Sequence, residues 1–140
     1  MDIGVIMRNM KVKNRFWVMK NLPEGNNFQN ALEIREESEL KIPEGFFATK
    51  NLFLSMDAGT RMYMTDRKDS YQPPIPIGEK LMGTVLGEIV KSNHPDYRVG
   101  ERLRSYGQWS DFSVVDPNLM YPSKVDDSEI DLVNYIGIYG

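Results

Sequence analysis

A chain of 140 residues with a net charge of −3 and no cysteine is bounded in several ways before any motif is read. The length fits one domain, and 41% hydrophobic content supports a packed core rather than disorder. Lack of cysteine excludes disulfides, thiolate metal ligands and cysteine nucleophiles, and the acidic balance excludes a sequence-independent nucleic-acid binder, which needs a basic face.

No run of ~18 apolar residues exists to span a bilayer, so no membrane partner is expected. Met1 to Arg8 is short and carries Asp2 too early for a signal peptide; a cytoplasmic protein with an N-terminal leader or edge strand over 1–13 is the expectation. Lys11, Lys13, Arg15 and Lys20 are interrupted by Phe16, Trp17 and Val18, the mark of a solvated strand face. A strand is predicted over Asn14 to Lys20, ending at the turn Asn21-Leu-Pro-Glu-Gly25. Asn30 to Glu36 alternates Leu32 and Ile34 against Glu33 and Arg35, a half-buried strand.

After the turn Pro43-Glu-Gly45, Phe46 to Met56 is the longest strand candidate. Its more apolar face, Phe46, Ala48, Leu52 and Leu54, is expected to be central and buried. Three prolines make Ser70 to Pro76 an ordered crossing loop. Leu81 to Ser92 reads as a strand whose Gly83 and Gly87 mark a sharp bend, a bulge or a close backbone approach, the bend being favoured. Val99 to Arg104 and Ser110 to Val115 are expected to pair around Tyr106-Gly-Gln-Trp109. Ser128 suits the N-cap of a final helix carrying Ile130, Val133 and Ile136. Short strands and few helices give a β-rich α+β domain, a small barrel or sandwich with short peripheral helices.

Most catalytic constellations are missing. One histidine, His94, without any cysteine does not make a zinc site of the usual His/Cys type, and its neighbours Pro95 and Asp96 suit a turn. No Gly-x-Gly-x-x-Gly or Gly-x-x-x-x-Gly-Lys loop is present to cradle phosphates. Asp57 and Arg61 stand four apart directly after the longest apolar strand, as a pair locking the corner or as ligand contacts.

Between about Arg15 and Val115, six segments occur in a characteristic order: Leu52-Phe-Leu-Ser-Met-Asp57 with Arg61, Ser70-Tyr-Gln-Pro-Pro-Ile-Pro-Ile-Gly78, Gly83-Thr-Val, Val90-Lys-Ser-Asn-His-Pro-Asp-Tyr97, Gly100-Glu-Arg-Leu103 and Gly107-Gln-Trp-Ser-Asp-Phe112. Together they resemble the catalytic domain of the zinc-independent medium-chain dehydrogenase/reductases, in the leukotriene/prostaglandin and bacterial curcumin reductase branch. Where the zinc alcohol dehydrogenases carry Gly-His-Glu, this chain has Gly78-Glu79-Lys80, so no zinc is expected.

The resemblance implies a GroES-like barrel over 14–125, with 126–140 beginning the helix that leads to a nucleotide-binding domain. It implies NADPH as cofactor, bound mainly by a Rossmann domain outside this chain, and an α,β-unsaturated ketone or aldehyde as substrate. Asp57, Arg61, Tyr71 and Trp109 would border the substrate cleft. Ala58 and Gly59 stand where the branch commonly has Pro and Tyr, which removes a ring from the cofactor side. The expected function is the substrate-domain half of an NADPH-dependent oxidoreductase, an enzyme by family but inactive as 140 residues; the alternative is a stand-alone binding module on the same barrel. A homodimer is expected if Met62, Met64, Trp109 and the Ile130/Val133/Ile136 face leave an apolar patch; a separate Rossmann chain is a second expected partner.

Overall fold

The structure is a computed structural model that describes residues 7–25, 27–55, 64 and 74–125. Seven strands are described: β1 (Met7–Met19), β2 (Leu32–Pro43), β3 (Phe47–Leu54), β4 (Met82–Ser92), β5 (Arg102–Gln108), β6 (Phe112–Val115) and β7 (Ser123–Lys124). There is no helix among the described residues, and the helix expected from Ser128 lies outside them.

β1 and β2 form an antiparallel pair, and the remaining strands form a sheet in the order β6-β3-β4-β5-β7. β1 joins the larger sheet through its C-terminal half: Trp17 N–H donates to Trp109 O at 2.9 Å, and Leu81 N–H donates to Trp17 O at 2.9 Å. The core lies inside the curled sheet, where Phe47, Ile89, Leu103, Val115 and Met120 pack together. A second cluster, Met19, Met64, Leu81 and Trp109, is flanked by Phe28, Leu32 and Ile75.

β5 and β6 are consecutive but are not ladder neighbours, contrary to the pairing expected from sequence: β5 lies between β4 and β7, whereas β6 pairs with β3. Side chains close the gap instead. The Gln108 amide donates to Val114 O at 3.3 Å and accepts from Val114 N–H at 3.0 Å, the pattern of a backbone pair made by a side chain. At Gly107 an added Cβ would stand 3.0 Å from Ser113 Oγ and 3.1 Å from Val85 Cγ2, so a larger residue would press these side chains back by a few tenths of an ångström.

The burial expected for β3 requires correction. Phe47, Ala48 and Thr49 are all buried, while Leu52 and Leu54 are 39% and 38% exposed; Phe46 is only half-buried. The β3–β4 register shifts between Ala48 and Thr49 and again between Asn51 and Phe53, so the two-residue alternation that assigned these faces is broken twice. Leu52→Ala is accordingly expected to cost about 1 kcal/mol or less, against ~2–5 for a core leucine; a urea midpoint shift in the core range would contradict the placement. In β2, Ile34 faces outward at 54% exposure opposite Trp17, and Leu40 and Ile42 supply the buried positions. A bulge in β1 between Lys11 and Asn14 shifts the hairpin register, and buried residues lie on both sides of it, Leu40 and Ile42 on one and Asn14, Val18 and Met19 on the other.

The glycines of β4 mark close approach rather than bending alone. A Cβ on Gly83 would lie 2.5 Å from Trp109 Nε1, and one on Gly87 would lie 2.9 Å from Thr49 Cβ.

Candidate functional site

The turn between β5 and β6, Trp109 to Asp111, is where the described elements converge. Its backbone is held from three sides: Trp109 N–H donates to Leu81 O at 2.8 Å, Asp111 N–H to Arg15 O at 2.9 Å, and Asn51 N–H to Asp111 O at 2.8 Å. Asn51 adds its side-chain amide, whose Nδ2 lies within hydrogen-bond distance of Ser110 O (2.9 Å), Ser113 Oγ (2.9 Å) and Gln108 O (3.2 Å). Asn14, fully buried at the β1 bulge, accepts Phe112 N–H through Oδ1 at 2.9 Å and donates to Glu37 at 2.7 Å. Glu37 also pairs with Lys80, whose ammonium lies 4.7 Å from the centre of the Phe16 ring.

Arg15 grips Asp111 with two side-chain bonds, Nε at 2.9 Å and Nη2 at 3.1 Å, and its backbone N–H donates to the same carboxylate at 3.0 Å. The guanidinium bond is the main cause that holds the Asp111 carboxyl below its ordinary value. Because the folded carboxyl titrates below the ~3.9 of an unfolded aspartate, the pair's contribution is complete above about pH 5 and is lost as pH falls through the folded value. The pair is substantially exposed, so Asp111→Asn is expected to cost about 1 kcal/mol or less near neutral pH. Urea midpoints of the two proteins should converge at pH 2–3 relative to pH 6; a constant difference would mean that the carboxylate charge plays no part.

Beside this pair lies an open cavity of about 250 Å³ lined by Arg15, Phe16, Trp17, Ile34, Leu54, Ser110 and Asp111. Apolar walls under a polar rim suit a small, mostly apolar ligand with one or two acceptor groups. Trp17, Ile34, Leu52, Phe53 and Leu54 are each more than a third exposed, and Trp17, Ile34 and Leu54 share this cavity.

Of the four residues expected at the site, Trp109 is described; Asp57, Arg61 and Tyr71 lie outside the described residues. Trp109 is 5% exposed, and its Nε1–H is buried without a hydrogen-bond partner among the described residues. It packs in the cluster with Met64, itself 4% exposed, so these two do not form the exposed apolar patch expected from sequence; Met62 and the Ile130/Val133/Ile136 face lie outside the described residues. His94 is a turn residue: its Nδ1 accepts Asp96 N–H at 3.0 Å, and its ring meets Tyr97 edge-on at 4.9 Å. Among the described residues no three His, Asp or Glu side chains gather in a group fit to hold a metal, and no helix is long and apolar enough to cross a membrane. The Arg15–Asp111 pair and the Asn51 hub were missed because their partners are far apart in sequence, 96 residues for the former.

A curled antiparallel sheet closed by side chains, with an apolar cavity at its rim, is a small β-barrel domain. Residues 15–122 match the family described as the N-terminal domain of oxidoreductase. The chain belongs to that family, and its fold is the GroES-like domain of the medium-chain dehydrogenase/reductases. It is 32% identical over 108 residues to the NADPH-dependent curcumin reductase of Escherichia coli (strain K12), a match covering 77% of this chain and 31% of that protein. It is 26% identical over 135 residues to the (+)-pulegone reductase of Mentha piperita, covering 92% of this chain and 39% of that one. CurA from Vibrio vulnificus superposes with a TM-score of 0.76 at 26% identity, covering 91% of this chain and 37% of that structure; its complex with NADPH gives 0.72 at 24%. The chain thus spans between about a third and two fifths of the length of these relatives.

Proposed function

We propose that this chain is the substrate-facing domain of an NADPH-dependent oxidoreductase that reduces the carbon–carbon double bond of α,β-unsaturated ketones or aldehydes. The match across residues 15–122, with relatives named for reducing curcumin and pulegone, carries this reading. The chemistry divides accordingly. NADPH supplies the hydride, while the barrel supplies a rigid, largely apolar wall that excludes water and orients the substrate. Trp109, Asp57, Arg61 and Tyr71 are assigned to the border of that cleft.

Among the described residues there is no helix N-terminus and no glycine-rich strand–helix turn to take a pyrophosphate. Relatives named as NADPH-dependent or solved with NADPH support a nucleotide-binding domain, on the same or a separate chain, as the holder of the cofactor, with no turnover by these 140 residues without it. The exposed Trp17, Ile34, Leu52, Phe53 and Leu54 support a surface that a further domain covers; a homodimer burying the same face is the competing arrangement, and sedimentation at micromolar concentration separates the two. The whole enzyme is assigned to the cytoplasm.

Amide NMR spectra of the 140-residue chain, titrated with NADPH and separately with an enone, test the reading. Enone-induced shifts at the Trp109–Asp111 turn, the neighbouring cavity and Asp57, Arg61 and Tyr71 are expected, with at most weak NADPH effects and no NADPH oxidation. Tight NADPH binding or turnover by this chain would refute the division of labour. No response to any enone would favour a stand-alone binding module.

A further inference from the structure

The cavity beside the Arg15–Asp111 pair lies on the outward face of the β1–β2 pair, and backbone bonds fix its walls. Arg15 and Trp17, two residues apart on β1, share that face, while Asn14 and Val18, of the other parity, are fully buried. Trp17 stands opposite Ile34 in the ladder, and Arg15 opposite Glu36. Trp17 N–H donates to Trp109 O and Leu81 N–H to Trp17 O, each at 2.9 Å, and Phe16 forms a bridge with Ser110. Leu54, at the end of β3, lines the cavity from a third strand.

Walls, size and rim each restrict what this cavity accepts. Trp17, Ile34 and Leu54 are each more than a third exposed, so a ligand that covers them gains the free energy of apolar burial. The volume of about 250 Å³ suits one substituted six-membered ring, since a cavity of ~150 Å³ holds benzene. The Trp17 indole offers that ring a flat apolar partner. At the rim, Asp111 takes only the Nε–H and one Nη2–H of the Arg15 guanidinium, and no described residue accepts from the others. The charges there are balanced, Arg15 by Asp111 and Lys13 by Glu36. Donors therefore remain for a neutral oxygen, whereas a carboxylate would meet Asp111 and Glu36 as like charges.

We propose that this cavity is a ring subsite, which takes one aromatic or alicyclic ring of a neutral ligand against Trp17, Ile34 and Leu54. An oxygen acceptor on the same ligand is held by the Arg15 guanidinium. Trp17 and Ile34 are then specificity-determining residues. The inference deepens the function proposed above and rests on it in one respect, that the ligand is the ring-bearing end of an unsaturated ketone or aldehyde. A rigid ring loses little freedom on meeting preformed walls, whereas an alkyl chain of equal area must freeze several rotors. The cavity is open, so the rest of the ligand extends beyond it.

The test uses the 140-residue chain, whose two tryptophans give two indole N–H resonances, that of Trp17 being assigned by Trp17→Phe. Acetophenone, a neutral ring with one carbonyl oxygen and no enone, is the first probe. It should move the Trp17 indole and the Ile34 and Leu54 methyl resonances. Benzoate, the same ring with a carboxylate, should bind about tenfold more weakly or worse. Ile34→Ala should weaken acetophenone about fivefold, while Leu119→Ala, at an exposed leucine away from the cavity, should not. The double variant Arg15→Met/Asp111→Asn removes the donors without leaving a lone carboxylate and should also cost about fivefold.

Benzylideneacetone, an enone with the same ring, should move the same resonances, and the acyclic enone hex-3-en-2-one should leave the Trp17 indole in place. An unmoved Trp17 indole with acetophenone overturns the ring subsite, whatever enones the chain binds elsewhere. Benzoate binding as well as acetophenone, or equal losses in Ile34→Ala and Leu119→Ala, overturns it too. Acetophenone affinity unchanged in the double variant overturns the role of Arg15. Acetophenone bound in the cavity with benzylideneacetone excluded leaves the subsite standing and overturns its part in enone recognition, so the two readings fail separately.

Discussion

Phe47→Ala is expected to be the most damaging single truncation, costing about 3–5 kcal/mol. Phe47 is fully buried at the start of β3, in the cluster with Ile89, Leu103, Val115 and Met120. Its ring also stacks on Tyr97 at 4.5 Å with an interplanar angle of 24°, so truncation removes an aromatic pair as well as buried area. Tyr97 is held from elsewhere, with the Lys124 ammonium 5.2 Å from its ring centre and His94 against its edge; it is not free to collapse into the space left behind. Chemical unfolding should show a midpoint shift with little change in slope. A loss near 1 kcal/mol would mean that the ring is not in the core.

Gly87→Ala should be nearly as costly by the opposite mechanism. The new Cβ would meet Thr49 Cβ at 2.9 Å, Thr49 Oγ1 at 3.0 Å and Lys50 O at 3.1 Å. A β-branched atom and a backbone carbonyl cannot swing aside as a flexible side-chain end can, so β3 and β4 must separate locally. Overpacking of this kind costs about 1–3 kcal/mol, and the upper end is expected because Gly87 sits beside the Asn51/Phe53 register shift of a central strand pair. Hydrogen exchange should rise on both sides of that shift; an alanine variant as stable as the parent would show that the strands are not this close.

Much of the strand map was legible because β-branched and aromatic runs alternate with Pro- and Gly-bearing turns: Asn14 to Lys20, Phe46 to Met56 and Leu81 to Ser92 all coincide closely with parts of observed strands. The resemblance carried by six short segments also held, since their order is a property of the whole domain. Burial was less legible. Leu52 and Leu54 share a parity with Ala48, yet two register shifts separate them from its surroundings, and a bulge leaves no signature in an apolar pattern.

Barrel closure was not legible at all, because Gln108 makes with its side chain the bonds that a ladder makes with its backbone. Of the candidate site, Trp109 was recognised by its motif, but its burial over Gly83 depends on strands meeting across the sheet. Asn51 and Arg15, which secure the Trp109 turn, looked like ordinary polar residues of their strands.

We propose that this barrel serves as the substrate domain of an enone-reducing, NADPH-dependent oxidoreductase. A chimera tests it most directly, with this chain replacing the matching segment of the Escherichia coli curcumin reductase, about 31% of that protein. NADPH binding by the chimera establishes that the recipient's nucleotide site is intact, and circular dichroism that the graft is folded. NADPH oxidation that depends on an added α,β-unsaturated ketone is the predicted result; a folded chimera that binds NADPH yet oxidises none of it with any enone accepted by the parent reductase would contradict the account.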